Sequence, residues 1–136
     1  MKKILLIVLL LSFGFSQKLT EVVETDDNGN IESITYYKKT QNRIEEISKY
    51  EGYHQNGQKE VEGSYKGLDR RGYPIKDGLW TEWYDNGQKR FEGTYKDGKE
   101  DGLWTYWDND GSKYAGKVTR KNDEDATFLY WYDNEK

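Results

Sequence analysis

Aromatic and β-branched residues alternate with polar residues along short stretches of the chain, for example over residues 78–84 and 90–96. A period of two residues is typical of β-strands. Between these stretches lies Asn86-Gly87, a pair that favours a tight hairpin turn because both residues tolerate positive φ. The pattern therefore predicts an all-β fold made of consecutive hairpins. A two-residue turn at Asn86-Gly87 would place Trp80 opposite Gly93 and Trp83 opposite Arg90.

The hairpin pattern repeats along the chain. Asp-Gly-Leu-Trp-Thr at 77–81 returns at 101–105, a period of 24 residues, and a partial copy follows at 126–134. An earlier copy begins at Tyr50 with a displacement of 30 residues, and its six extra residues fall within 67–76, which we expect to form a loop. The copies are placed near 50–76, 77–100 and 101–125. Residues 17–49 are expected to form strands that include a degenerate repeat.

Within each hairpin a large ring is expected to face a glycine, because a ring lying on bare backbone covers a residue that would otherwise weaken the strand. Trp80 is predicted to cover Gly93, and Tyr50 is predicted to face Gly63. In the third copy Gly116 comes one residue early, which predicts Trp104 opposite Lys117 and a bulge or shifted register. The repeat positions with a structural role are Tyr50, Gly57, Gly63, Gly78, Trp80, Gly87, Gly93, Gly102, Trp104 and Gly111.

The two faces of each hairpin differ in character. Trp80, Tyr84, Phe91 and Tyr95 are expected to share one face. The opposite face would hold Leu79, Thr81, Trp83, Arg90, Glu92 and Thr94, a mixture that can meet water, with Arg90 stacked on Trp83.

The repeated segments, from Asp-Gly-Leu-Trp-Thr through Trp-Tyr-Asp-Asn-Gly-Gln-Lys to Glu-Gly-Thr-Tyr-Lys-Asp-Gly-Lys, resemble the bacterial variant of the MORN repeat. Residues 50–118 carry this resemblance clearly. This resemblance implies an elongated, twisted antiparallel β-meander. The repeated segments are also similar to those of the YwqK-type antitoxin family. MORN repeats of eukaryotic proteins are associated with membrane lipids and with protein scaffolding, of which scaffolding fits an acidic chain better.

The N-terminus resembles a secretory signal. Lys2 and Lys3 precede an apolar run at 4–11, and small residues follow at Gly14 and Ser16, so residues 1–16 are predicted to be a signal peptide cleaved after Ser16. The apolar run is too short to span a membrane, which argues against stable membrane insertion after cleavage. The predicted localisation is export to the bacterial periplasm, the cell surface or the extracellular space.

The charge of the chain disfavours some partners. Removing Lys2 and Lys3 from the 21 basic residues leaves 19 against 25 acidic residues, a formal charge of about −6. Nucleic acid and anionic lipid are therefore not expected as partners. The chain has no cysteine, so no disulfide stabilises it.

The sequence offers no catalytic pattern. His54 is the only histidine, and its repeat position holds Tyr84 and Asp108 in other copies, which suggests a structural or surface role. The segment 108–111 resembles part of a calcium loop but lacks the glutamate at position 12, and the acidic run 123–125 is expected to be a solvated connection. We therefore expect no enzymatic activity, no cofactor and no metal site.

The function predicted from these features is a non-catalytic exported repeat protein that binds a protein partner or acts as a scaffold through its sheet. The candidate binding surface is Trp83, Arg90, Trp107 and Trp131. Two alternatives remain: a carbohydrate-binding module with these tryptophans, spaced 24 residues apart, as an exposed ladder, and an antitoxin-like or immunity-like protein of the cell envelope. Whether the tryptophans are exposed and coplanar, or packed beneath residues 17–49, would discriminate between protein and sugar.

Overall fold

The computed structural model describes the backbone of residues 3–7, 19–39, 45–121 and 125–132, and the side chains of residues 19–38 and 47–113. Ten strands occupy these residues. They are β1 (Lys3–Ile7), β2 (Leu19–Thr25), β3 (Ile31–Lys39), β4 (Glu45–Tyr53), β5 (Lys59–Leu68), β6 (Pro74–Trp83), β7 (Lys89–Lys96), β8 (Lys99–Trp107), β9 (Lys113–Lys121) and β10 (Asp125–Tyr132).

The strands form one antiparallel sheet in which each strand pairs with the next along the chain. The predicted all-β meander of consecutive hairpins is thus confirmed, and residues 19–39 extend the sheet. Strand β1 lies within the predicted signal peptide and pairs with β2. Cleavage after Ser16 stays a prediction, and it would leave β2 at the edge of the sheet.

Five connections share one turn geometry. In Asp26–Asn30, His54–Gln58, Asp69–Tyr73, Tyr84–Gln88 and Asp108–Ser112, the first residue accepts from the N–H of the fourth and donates to the carbonyl of the fifth. The fourth residue is a glycine with φ between +82° and +90°. A three-residue loop ending in a left-handed glycine gives this arrangement. The prediction of a two-residue turn at Asn86-Gly87 was therefore wrong.

The longer turn changes the pairing only beside the loop. Trp80 lies opposite Gly93, as predicted, and Glu82 lies opposite Phe91, whereas a bulge at Arg90 sets Trp83 opposite Lys89. The predicted pairing of Trp83 with Arg90 was therefore wrong, because the extra residue of the bulge absorbs the difference in turn length.

The upstream and third copies show the same principle. Tyr50 lies opposite Gly63, as predicted. In the third copy Trp104 lies opposite Gly116 and the β8–β9 pairing has no register shift, so the expected bulge and the expected partner Lys117 were both wrong. The copy is one residue shorter because it lacks the bulge residue.

The six-residue insertion is only partly a loop. Strands β5 and β6 run on to the pair Leu68 and Pro74, and the turn Asp69–Tyr73 joins them. The corresponding connection between β7 and β8 closes at once through Asp97 and Gly98, both with positive φ. The insertion therefore lengthens one hairpin beyond its neighbours.

The core lies on the face of the sheet formed by Tyr65, Trp80, Phe91, Tyr95 and Trp104, the aromatic face. Trp80 and Trp104 are only 3% and 2% exposed. Each ring lies flat on a glycine of the preceding strand, since a Cβ added to Gly63 would fall 2.6 Å from Trp80 Cε3, and one added to Gly93 would fall 2.6 Å from Trp104 Cε3. The prediction that Trp80 covers Gly93 was therefore wrong: Trp80 covers Gly63, and Trp104 covers Gly93.

Neighbouring side chains complete the burial of these rings. The edges of Tyr65 and Tyr95 meet the ring of Trp80 at centroid distances of 5.2 and 6.0 Å. The ammonium group of Lys76 lies 4.0 Å from the centroid of the Trp80 ring, and burial lowers the pKa of Lys76. A sheet of one layer thus encloses tryptophan with glycine below, tyrosines beside it and a lysine on top.

Candidate functional site

The face opposite the aromatic one carries acidic and basic side chains on successive strands, and we name it the charged face; its residues include Lys49, Glu51, Lys59, Glu62, Lys89 and Glu92. At its centre Glu51 is 7% exposed. Lys49 donates to Glu51 Oε1 at 2.5 Å, and the Tyr53 hydroxyl donates to Glu51 Oε2 at 2.7 Å. Lys59 lies 3.5 Å from the same carboxylate and bonds Glu62 at 2.7 Å.

The surroundings of Glu51 keep it ionised. Burial raises the pKa of Glu51, but the hydrogen bonds from Lys49 and Tyr53 and the charges of Lys49 and Lys59 outweigh burial, so its pKa lies below the ordinary value. Burial and the hydrogen bond to Glu51 raise the pKa of Tyr53. The cluster is therefore a charged network with little net charge.

A second cluster repeats the arrangement on the following hairpins. Lys89 bonds Glu92 at 2.5 Å, and the hydroxyl of buried Thr81 lies 3.4 Å from the same carboxylate. The Lys89 ammonium also lies 5.6 Å from the centroid of the Trp107 ring. One side chain thus links an acidic residue to an aromatic residue across strands β7 and β8.

The four candidate binding residues do not form one surface. Trp83 and Trp107 lie on the charged face, as the strand register requires, and both are partly buried. Arg90 pairs with Glu82 and lies 5.9 Å from the Tyr84 ring centroid, so it does not stack on Trp83. The bulge turns Arg90 away from the position expected of it. The side chain of Trp131 lies outside the described residues.

Two leucines of the repeat are more than half exposed on the charged face. Leu79 and Leu103 are 57% and 55% exposed and occupy matching positions of the two copies. Each follows a glycine with positive φ, Gly78 at +98° and Gly102 at +75°. The strand pairing shifts by two residues beside each of these glycines. Between successive paired positions β6 has two more residues than β5, and β8 has two more than β7. This shift interrupts the regular strand pairing next to each leucine.

Hydrogen bonds connect successive turns along one edge of the sheet. His54 Nε2 donates to the Trp83 carbonyl at 2.9 Å, and the Tyr84 hydroxyl donates to the Trp107 carbonyl at 2.9 Å. The histidine and the tyrosine thus occupy the same repeat position and make the same kind of bond. The geometry supports the structural role predicted for His54.

Asparagine side chains add a second set of bonds between the turns. Asn56 donates to the Asp85 carbonyl at 2.6 Å, and Asn86 donates to Asn109 Oδ1 at 2.6 Å. Their own carbonyl oxygens accept from Gln58 and Gln88 within the turn. The asparagine of each Asn-Gly pair therefore holds its own turn and the next one.

Sequence reasoning missed three features of the surface: Lys76 on the aromatic face, the network around Glu51, and the lengthened β5–β6 hairpin as an exposed projection. The insertion itself was visible as a break in the repeat period. The first two depend on which side chains meet across three strands, for which a single hairpin pattern contains no signal.

Two kinds of feature are absent from the residues that the structure describes. No group of three or more His, Cys, Asp or Glu side chains is arranged to hold a metal ion there. Across those residues there is also no helix long and apolar enough to cross a membrane.

Comparison with known families gives a match to the MORN repeat variant at residues 48–66 and 76–97. These segments correspond to the hairpins β4–β5 and β6–β7 and include both Gly63 and Trp80. MORN repeats are often protein-binding or scaffold modules, and they are generally non-catalytic. Neither curated protein sequences nor solved structures gave a match.

Proposed function

We propose that the protein is an exported, non-catalytic module that binds a protein partner through the charged face. The observation that carries this proposal is the repeated exposure of Leu79 and Leu103 on a face of partly exposed ion pairs and partly buried tryptophans. Solvent-exposed apolar residues that recur beside polar groups are typical of protein interfaces.

The sheet also has the shape for this task. The strands form one layer, so the charged face offers a broad platform on which each repeat adds a similar set of side chains. Within the ion pairs that Glu51 and Glu92 form with lysines, the opposite charges neutralise each other. Apolar contacts and hydrogen bonds would therefore supply most of the affinity for the partner.

The carbohydrate alternative has less support. Sugar binding by stacking needs open aromatic rings, whereas Trp83 and Trp107 are partly buried and Lys89 lies over Trp107. Export, which rests on the predicted signal peptide, and a relation to the YwqK-type antitoxins both stay predictions.

The test compares Leu79→Asp and Leu103→Asp with the unaltered protein. Both side chains are more than half exposed, so the variants are expected to fold, which circular dichroism would check. Each is expected to weaken binding to partners cross-linked in the cell envelope by at least about tenfold, since it puts a charge into an apolar contact.

Leu19→Asp is the matched control. Leu19 is a 39% exposed leucine on β2, four strands from β6, and the same substitution there is expected to leave binding unchanged. Full partner binding by folded Leu79→Asp and Leu103→Asp variants would contradict the proposal. Recovery of the protein from the cytoplasm with Met1 intact would contradict export alone.

A further inference from the structure

The lengthened β5–β6 hairpin ends in a tip formed by residues 68–74. Tyr73 is 66% exposed and Leu68 is 50% exposed. Arg70 and Arg71 are also exposed, and within the described part of the chain neither guanidinium group has an ion-pair partner. Tyrosine and arginine side chains are the residues that most often anchor protein interfaces.

The tip is held in one conformation. Asp69 Oδ1 accepts from the backbone N–H of Arg71 at 2.8 Å and of Tyr73 at 2.9 Å. Gly72 donates to the Asp69 carbonyl at 3.0 Å and has φ +87°. A tip ordered in this way loses little conformational entropy when it docks.

A cavity of about 270 Å³ lies at the other end of β5, between the hairpins β2–β3 and β4–β5. Aromatic rings and carboxylates line it together, and its lining includes Glu24, Asp26, Tyr50, Tyr53, His54 and Glu60. Glu60 is exposed, and the part of the chain that the structure describes offers it no ion-pair partner. The cavity thus combines negative charge with aromatic surface.

The tip and the cavity are complementary in charge and in kind of side chain. They cannot meet within one molecule, because Glu60 at the cavity and Leu68 at the tip are eight residues apart along β5, about 26 Å at about 3.3 Å per residue. A contact between them must join two copies head to tail, and such contacts generate rings or open chains.

We propose that the tip of one copy docks into the acidic cavity of a second copy, with Arg71 directed at Glu60 and Tyr73 packed against the rings of the cavity. This contact does not involve Leu79 or Leu103, so it stands or falls independently of the function proposed above. It would turn a single binding module into an array of them. The contact is small, so the association is weak and depends on concentration.

Charge reversal tests the contact on protein purified in the form that accumulates in its host cells. Sedimentation velocity is expected to show concentration-dependent association of the unaltered protein. Arg71→Glu and Glu60→Arg are each expected to weaken association by at least about tenfold, because each places like charges together. Mixing the two variants restores association, since the Arg71 tip of the Glu60→Arg chain finds an unaltered cavity.

Lys113→Glu is the matched control, because it reverses an exposed lysine away from the tip and the cavity. It is expected to associate like the unaltered protein. A monomer at all concentrations, or two variants that stay monomeric when mixed, would overturn the proposal. Equal weakening by Lys113→Glu would also overturn it, because net charge would then be the cause.

Cysteine cross-linking locates the contact, since the chain contains no cysteine of its own. Tyr73→Cys mixed with Gln55→Cys, a residue that lines the cavity, is expected to give a disulfide-linked dimer. Tyr73→Cys mixed with Lys113→Cys is expected to give none. Equal cross-linking of both mixtures would show random collision and would overturn the proposal.

Replacing residues 67–74 with Asp-Gly, the turn that joins β7 to β8, removes the tip and restores the 24-residue period. This variant is expected to fold, to stay monomeric and to keep the partner binding of the charged face. Unchanged self-association without the tip would refute the self-contact and leave the proposed function untouched.

Discussion

Gly63 and Trp80 form the contact on which the stability of the middle hairpins is expected to depend most. Trp80 is 3% exposed, and a buried tryptophan removes about 150–250 Å² from water, worth about 4–6 kcal/mol at 25 cal/mol per Å². Trp80→Ala is therefore expected to cost about 3–5 kcal/mol. Gly63→Ala places a methyl group inside the indole ring and is expected to cost about 1–3 kcal/mol.

The two substitutions are expected to be strongly non-additive. Once the indole is gone, the methyl group of Gly63→Ala has room, and alanine is then better tolerated in a strand than glycine. The cost of Gly63→Ala should fall to about zero in the Trp80→Ala background, which gives a coupling energy of about 1–3 kcal/mol. Denaturant titration followed by far-UV circular dichroism measures all four proteins without relying on tryptophan fluorescence.

Gly93 and Trp104 provide both a second cognate pair and the control. The pairs Gly63–Trp80 and Gly93–Trp104 are expected to couple, whereas Gly63 with Trp104 should be additive within about 0.5 kcal/mol because they share no contact. If Trp80→Ala unfolds the protein, Trp80→Leu serves in its place. Stronger coupling of Trp80 with Gly93 than with Gly63 would refute the packing described here, since Trp80 would then cover its partner within the hairpin.

Three further predictions follow from single contacts. In denaturant titration, Trp80→Phe is expected to destabilise the protein by about 1 kcal/mol more than Trp104→Phe, and equal losses would contradict this. The reason is that Trp80 Nε1 donates to the Ser64 carbonyl at 3.1 Å, whereas the buried Trp104 Nε1 has no hydrogen-bond partner among the described residues. Gly57→Ala is expected to cost about 1–2 kcal/mol through its φ of +82° alone, since an added Cβ there meets open space, and Gly57→Asn should cost less; a neutral Gly57→Ala would show that the turn relaxes. The pKa of Glu51 is lowered in the folded protein, so its ionised form stabilises the fold at pH values above the ordinary pKa of 4.5, and this contribution is lost as the pH falls through the folded pKa. Glu51→Gln should therefore flatten the pH dependence of stability in that window, and an unchanged slope would contradict the assignment.

The hairpins could be predicted from the sequence because strand alternation and Asn-Gly pairs are local signals. Trp80 opposite Gly93 and Tyr50 opposite Gly63 followed from counting outward from a turn. The error in turn length did not affect these pairs, because a bulge beside the loop compensates for the longer turn. Local patterns thus predicted the pairing in the middle of each strand better than the pairing at its end.

Packing between hairpins could not be predicted in the same way. Trp80 has a glycine opposite it on both neighbouring strands, Gly63 and Gly93, and only the direction of the side chain decides which one its ring covers. The position of Arg90 was missed for a related reason, because a bulge residue leaves the alternation on which the face assignment depended. Arg90 therefore does not belong to the binding surface that the structure favours, which contains Leu79 and Leu103 instead.

The third copy shows what determines the register of the array. Between Lys113 and Gly116 it has one residue fewer than the second copy has between Lys89 and Gly93, and it lacks the bulge at Arg90. Keeping the bulge in β9 would leave the ring of Trp104 on Gly93 but would place Lys117 opposite Trp104 instead of Gly116, and it would turn every later residue of β9 to the other face. The third copy instead omits the bulge and pairs Trp104 with Gly116, as the second copy pairs Trp80 with Gly93. The pairing of tryptophan with glycine is thus common to both copies, and the bulge varies with the length of chain between the turn and the glycine.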